Sequence, residues 1–461
     1  MIAGKIWIRL ATVAVLVLTV VGYTAAQEAD DAASIVLDIL RSGDQEMAAV
    51  AIGMVKEMPG PEVTKALAVE LPKLSATSQV QLISALGDRG DALALPAVTV
   101  AVKSTDESVR IAAIKAIAQL GDASSVILLA TIAGETSGQE QKAARESLSR
   151  LRGEKVDDAI LAAIPKAEPK TRVELVSSVG QRNIYAGVQT LMTSAKDADR
   201  KVRAQSIKTL KIICGPNDLP ALVDLLIGAQ STSDRTEAEK TIATVAHKIE
   251  DKNHQAQAVL TVLPKVTDLQ KRCSLLSVLG RIGDSTALPV LRKDLAGDET
   301  DIRTAVIRAL SQWPTGEPVK DLFEVAKTSE NQLHRILALR GFAVLLQLPS
   351  DRPSNETVSM YAEAMKLAPN DIEKRRILSG LGNTPSLDAL NMSLGYMEDQ
   401  TLKAEAEVAA MRIAQAIGTD HPQKAKDVLN KIIQHTKNDS TRAQAQEVLN
   451  LMDKKPDSVV Q

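Results

Sequence analysis

Three stretches of the chain superimpose: STDESVRIAAIKAIAQLGD (residues 104–122), DADRKVRAQSIKTLKIICG (197–215) and GDETDIRTAVIRALSQWPT (297–315). Val109, Val202 and Ile302 correspond, as do Arg110, Arg203 and Arg303, and Leu120, Ile213 and Trp313. The offsets, 93 and then 100 residues, hold through each stretch. A worn fourth copy runs through Leu402, Lys403, Ala406, Ala409 and Ile413. In the third copy Ile302, Val306, Ala309 and Trp313 fall at i, i+4, i+7 and i+11, one stripe of a helix. Ile307 and Leu310 form a second stripe on another side. A helix apolar on two sides is sandwiched between neighbours. A partner helix precedes each copy, in ALGDRGDALALPAVTVAV (85–102), VGQRNIYAGVQTLMTSA (179–195) and RIGDSTALPVLRKDLAG (281–297). Pro96 and Pro289 sit near the starts of these partners, where a missing N–H costs least.

Each long unit divides into three helix pairs. A basic residue recurs early in the second helix of many pairs: Arg110, Arg145, Arg172, Arg203, Arg235, Arg272, Arg303, Arg335, Arg375, Lys403 and Arg442. About thirteen pairs fit between Ala33 and Met452, roughly 32 residues each, within the range of helical solenoids. The expected fold is all-α, a right-handed α-α superhelix over 27–452 with a polar tail at 453–461. Composition agrees. Of 461 residues 45% are apolar but only 2% aromatic, so Ala, Leu, Ile and Val must fill the core. Small aliphatic side chains suit close helix packing and poorly suit a β-sandwich.

These units resemble HEAT repeats, in particular the short bacterial HEAT-like, PBS-lyase-type kind. The residues that carry the resemblance are Leu-Gly-Asp (86–88 and 120–122), Ile-Gly-Asp (282–284), Ala-Leu-Pro-Val-Leu (287–291), and an acid shortly before Val-Arg or Ile-Arg. The resemblance implies a solenoid and an Asp/Arg ladder of structural residues, here Asp106, Arg110, Asp199, Arg203 and Arg303. It implies little about function, because such scaffolds serve many unrelated roles. Gly of the Leu-Gly-Asp turns is expected in the left-handed conformation between helices.

Several activities find no support in the sequence. The five histidines, at 247, 254, 334, 421 and 435, never fall at i,i+3 or i,i+4, so HExxH and the His-Glu pairs of HEAT-like di-iron hydroxylases are missing. No phosphate-binding GxxxxGK[ST] and no Gly-x-Ser-x-Gly occurs. No catalytic residue, metal or cofactor is therefore expected. With 55 basic and 57 acidic residues the net charge is -2, without the basic excess of a nucleic-acid binder. Cys214 and Cys273 lie two pairs apart, beyond disulfide reach. Five of the aromatics of the chain beyond the N-terminal segment fall between 313 and 396, with Met360, Met365, Met392 and Met397 and the loop 348–357. Either these side chains fill larger gaps between the helices, the simpler reading, or they form a docking region for a protein partner with Tyr361 and Tyr396 as its anchors.

Residues 1–26 read as an address. Lys5 and Arg9 precede an apolar run, LATVAVLVLTVVGY (10–23), and Thr24 and Ala26 supply small residues at −3 and −1 of a cleavage site. The expected location is the periplasm or the medium. The alternative is an uncleaved membrane anchor, since Ile6 to Ala26 nearly reaches the ~20 residues of a span. The functional expectation is an exported non-enzymatic scaffold that binds a protein partner on a curved helical surface. An envelope-associated enzyme accessory or a bilin-lyase-like HEAT enzyme is the alternative. Intact mass of the protein from its native host is expected to begin at Gln27. Recovery of residue 1 in the membrane fraction would show the anchor instead.

Overall fold

The computed structural model describes residues 25–42, 44–58 and 60–454, and every regular element among them is helical. The signal and anchor readings lie outside the described residues except for Ala25 and Ala26, as do residues 455–461 of the tail. The 26 α-helices of the described residues form thirteen pairs. Contacts divide the chain between Ile213 and Cys214 into two compact units, one of six pairs and one of seven.

In the first unit the first helices of the pairs are α1 (Ala25–Ser42), α3 (Pro61–Glu70), α5 (Leu95–Ala101), α7 (Val126–Glu135), α9 (Val156–Ala163) and α11 (Val188–Ser194). Their second helices are α2 (Gln45–Glu57), α4 (Ala76–Arg89), α6 (Glu107–Leu120), α8 (Gly138–Arg150), α10 (Pro169–Gln181) and α12 (Arg200–Ile213). The second unit continues with first helices α13 (Leu219–Gly228), α15 (Gln257–Val262), α17 (Leu288–Leu295), α19 (Val319–Thr328), α21 (Ser354–Leu367), α23 (Leu387–Gly395) and α25 (Pro422–His435). Its second helices are α14 (Thr232–Ala246), α16 (Leu269–Ile282), α18 (Thr300–Ser311), α20 (Gln332–Leu345), α22 (Asp371–Leu381), α24 (Lys403–Ile417) and α26 (Asp439–Lys454). Within each unit every second helix packs on the second helix of the next pair, and all but α4 pack directly on their own partner. Both stripes of α18 are accordingly buried: Ile302, Val306 and Ala309, with Trp313 just beyond the helix, on one side, and Ile307 and Leu310 on the other.

One position sets the repeat. The fourth residue of the second helix is Gln79, Arg110, Gln141, Arg172 and Arg203 in α4 to α12, a strict step of 31 residues. It is Arg235, Arg272, Arg303, Arg335 and Arg442 in α14, α16, α18, α20 and α26. The turn or helix cap just before the second helix presents backbone carbonyls that need a donor. In most pairs the side chain reaches back to them. Arg110 Nη1 donates to the carbonyls of Ser104 (3.0 Å) and Thr105 (3.1 Å), and Arg203 Nη1 to those of Asp197 and Ala198 (both 2.9 Å). Arg335 Nη1 donates to Ser329 O at 2.9 Å and Arg442 Nη2 to Thr436 O at 2.6 Å. Gln79 and Gln141 do the same with their amides, to Leu74 O (2.9 Å) and Thr136 O (3.0 Å).

The acid four residues earlier is the N-cap. Asp106 Oδ1 accepts from the backbone N–H of Ser108 and Val109, and Asp199 Oδ1 from Lys201 and Val202. The Asp/Arg motif is thus a cap and a back-reaching donor on one turn, not a side-chain ion pair. Three expected ladder members stand elsewhere. Arg145 is the eighth residue of α8, Arg375 the fifth of α22 and Lys403 the first of α24; Gln141, Lys374 and Ala406 occupy the register position. In the third copy Asp301 lies inside α18 and makes no cap, and Arg303 Nε is buried without a hydrogen-bond partner.

Another correction concerns the turns. Leu86-Gly87-Asp88 is helical, because Gly90, at φ +73°, takes the left-handed cap two residues later. The equivalent pairs are Gly90-Asp91, Gly121-Asp122 and Gly283-Asp284. Their aspartates cap the short 3-10 turns that lead into α5, α7 and α17. Gly121 is extended, and Gly283 is left-handed at φ +71° as expected.

Small residues let the second helices approach. A Cβ on Gly280 of α16 would lie 2.5 Å from Ala309 Cα and 2.4 Å from its carbonyl oxygen in α18. Gly280→Ala is therefore expected to destabilise by about 1–3 kcal/mol through overpacking. Arg203→Ala is expected to cost about 1–3 kcal/mol by stripping a donor from part-buried carbonyls. Each lowers the thermal midpoint by about 2–4 °C per kcal/mol, read by circular dichroism. An unchanged midpoint in Arg203→Ala would show that the register arginine has no structural role.

Candidate functional site

The first candidate is a lattice of ion pairs between successive repeats. Arg110 Nε and Nη2 donate to Glu140 (both 3.1 Å), Arg145 to Glu174 (2.7 and 2.6 Å), Arg272 to Asp294 (2.8 and 2.7 Å), and Arg340 to Glu373. Each joins one helix pair to the next. The carboxylates are the buried members: the Glu174 and Glu373 side chains are 6% and 3% exposed, against 45% and 43% for their arginines. These glutamates hold the guanidinium protons of Arg110, Arg145 and Arg340 even more firmly than usual, through their side-chain hydrogen bonds. With donors and acceptors matched, the lattice offers no free base or nucleophile. It is structural.

The second candidate is a groove of about 1210 Å³ in the first unit. Its walls are α4, α6 and α8, three consecutive second helices, and the 31-residue step writes its surface as rows. Asp88, Gln119 and Arg150 occupy the last turns. Ser84, Lys115 and Glu146 form the next row, and Val80 and Ile111 the third. Small residues, Gly87, Ala116 and Ser147 among them, lie beneath. Arg152, just beyond α8, closes the basic end. Glu146 is 4.0 Å from Lys142 Nζ and so partly neutralised. The sequence analysis did not single out this surface. The signal for it is present, as polar and charged residues exposed in step at i, i+31 and i+62, but it shows only once the register is known.

The expected docking region at 313–396 fares differently. Tyr361 is fully buried, and its hydroxyl lies 3.1 Å from where a Cβ of Gly380 would stand. The missing side chain on α22 opens a slot that the ring of α21 fills. Burial pushes the phenol proton affinity up, and the hydroxyl has no hydrogen-bond partner. Tyr361 is core, not an anchor. Tyr396 is half-buried at the end of α23. Trp313 is also buried, with Nε1 donating to Glu317 at 3.2 Å, and Phe323 and Phe342 pack with ring centres 5.1 Å apart. The exposed aromatic among the described residues is Tyr185, outside that region and 66% accessible.

The titratable groups give no reactive centre. Cys214 is buried, and desolvation pushes its thiol up to about 12; Cys273, half-buried, is shifted the same way. Both are free thiols. Among the described residues no three His, Cys, Asp or Glu gather as metal ligands, and no helix is long and apolar enough to cross a membrane.

Residues 74–149 and 157–243 match the model for HEAT repeats. No curated protein matches the chain. Among solved structures it is similar to the karyopherin Kap121p bound to the extreme C-terminus of the protein phosphatase Cdc14p, at 12% identity and a TM-score of 0.51 over 91% of this chain and 53% of that one. Kap121p bound to Nup53p gives 12% and 0.51 over 92% and 52%. Kap95p with RanGDP gives 10% and 0.50 over 92% and 67%. The chain spans about half the length of the Kap121p chains. The likeness is one of fold: an all-helical HEAT-repeat solenoid.

His334 supplies a pH test of the packing. Its side chain is buried at α20, with Nε2 2.9 Å from Thr304 Oγ1 of α18. Desolvation first, and then the Arg303 charge, hold its proton affinity below the ordinary 6.5. As pH falls through 6.5 the unfolded chain takes a proton that the folded chain refuses. Stability present above 6.5 is therefore lost on acidification. Wild type is expected to lose more of its thermal midpoint between pH 7.5 and 5.5 than His334→Gln. Equal losses would overturn this.

Proposed function

We propose that the protein is a non-enzymatic scaffold that binds a protein partner along its second helices, and that it works outside the cytoplasm. The groove on α4, α6 and α8 carries the reading. It is long, open and lined by alternating apolar, small and charged side chains, a composition suited to a polypeptide rather than to a small substrate, which favours an enclosed and mostly apolar site. Stacked helix pairs offer such extended surfaces by construction. Kap121p, similar in fold, is bound in the solved structures to the extreme C-terminus of Cdc14p and to Nup53p. Residues 1–26 support export. The alternative, an enzyme accessory or a bilin-lyase-like enzyme, rests on repeat style alone, and no side-chain constellation among the described residues favours it. A nucleic-acid partner is disfavoured by the balanced charge, and membrane attachment enters only through an uncleaved N-terminal segment.

Site-specific photo-crosslinking in the native host tests the reading. A benzophenone side chain placed at Ser84 or Lys115 is expected to give discrete protein adducts. The same group at Val100, exposed on α5, is expected to give none. Adducts at Val100 only, or at neither site, would sink the proposal.

A further inference from the structure

Arginine has a consistent employment in the first unit. Among its described residues Arg41, Arg89, Arg110, Arg145, Arg172, Arg182 and Arg203 are all hydrogen-bonded to protein, most of them between repeats. Arg182 is typical: Nε donates to Asp157 at 2.7 Å and Nη1 to Leu151 O at 2.8 Å. Arg150, Arg152 and Arg200 make no such bond, and two of these three line the groove. Lys115, in the middle row, is likewise without an ion pair. Two acids line the groove: Glu146, partly offset by Lys142 at 4.0 Å, and Asp88, which stands alone at the opposite wall on α4. Three positive groups, Lys115, Arg150 and Arg152, outnumber them, and they are gathered at α6 and α8.

Guanidinium groups recognise carboxylates through two parallel N–H···O bonds. Three helices packed at about 8–10 Å present a track of about 20 Å. An extended chain covers that track in about six residues, at ~3.3 Å each. The small floor residues let a backbone lie close, and Val80 and Ile111 accept apolar side chains at the edge. Asp88 repels acids from the α4 wall, so the occupant's carboxylates face α6 and α8.

We propose that this groove binds an extended acidic segment of a partner protein, with its carboxylates on Lys115, Arg150 and Arg152. The assignment rests on the scaffold reading and names the chemistry of its ligand.

Selection of a random twelve-residue peptide library on the purified chain from Gln27 onward, followed by fluorescence anisotropy of selected peptides, tests it. Retained peptides are expected to carry an excess of Asp and Glu. They should bind Arg150→Glu/Arg152→Glu at least tenfold more weakly, and Lys115→Glu more weakly than wild type. All three residues lie outside the packing bonds of the repeats, so these variants should keep the wild-type melting temperature. Arg200→Glu, equally unpaired but outside the groove, should bind as wild type. Peptides without an acidic excess, equal binding by the charge-reversed variant, an equal loss in Arg200→Glu, or no retained peptide would overturn the charge assignment. Adducts at Ser84 whose partner segment is neutral or basic would do the same while leaving the scaffold reading intact.

Discussion

The turns that join the two helices of a pair leave carbonyls facing the second helix, and most of the repeats depend on a side chain that donates to them. A helix terminus cannot satisfy its own last carbonyls. Stacking the repeats withdraws part of that terminus from water, where an unpaired carbonyl costs about 1–3 kcal/mol. In most pairs the fourth residue of the second helix supplies the donor from five or six positions away. Arg does this with a rigid fork that has a second edge free for a carboxylate of the next pair, as in Arg110 and Glu140. Gln141 performs the first task alone, and Arg145, one turn on, meets Glu174. Two neighbouring side chains then share what one arginine does elsewhere.

The polar lattice is affordable because the apolar packing around it is tight. Ala and Gly at the contacts bring second helices close enough for the long side chains to bridge pairs. The same closeness decides the fate of the aromatics. Gly380 leaves a slot, and Tyr361 from the preceding helix occupies it. A tyrosine there reports a gap in the small-residue pattern, not a surface.

Function, in this architecture, is what remains on the surface after the lattice has used its charges. Most arginines of the first unit are consumed by the fold, and two of the three that are not, Arg150 and Arg152, line the groove. The thiols are buried or half-buried and held protonated, and the buried Glu174 and Glu373 are held by arginines.

Thirteen helix pairs, the two apolar stripes of α18, the positions of Pro96 and Pro289 and the structural use of Arg110 and Arg203 were legible in the sequence. All follow from local periodicity and from the rule that a buried helix is apolar toward each neighbour. The register was only half legible. Three repeats of 31 residues appear as one offset of 93, and Arg145 and Lys403 are indistinguishable by spacing from the residues that do reach back. Which of Gly87 and Gly90 ends a helix depended on the left-handed geometry at Gly90. Whether Tyr361 faces water depended on a glycine in another helix. Whether Arg150 is spent or free depended on which carboxylates the packing brings near. Periodicity tells a residue which way it points from its own helix; only the packed neighbours decide what it meets there.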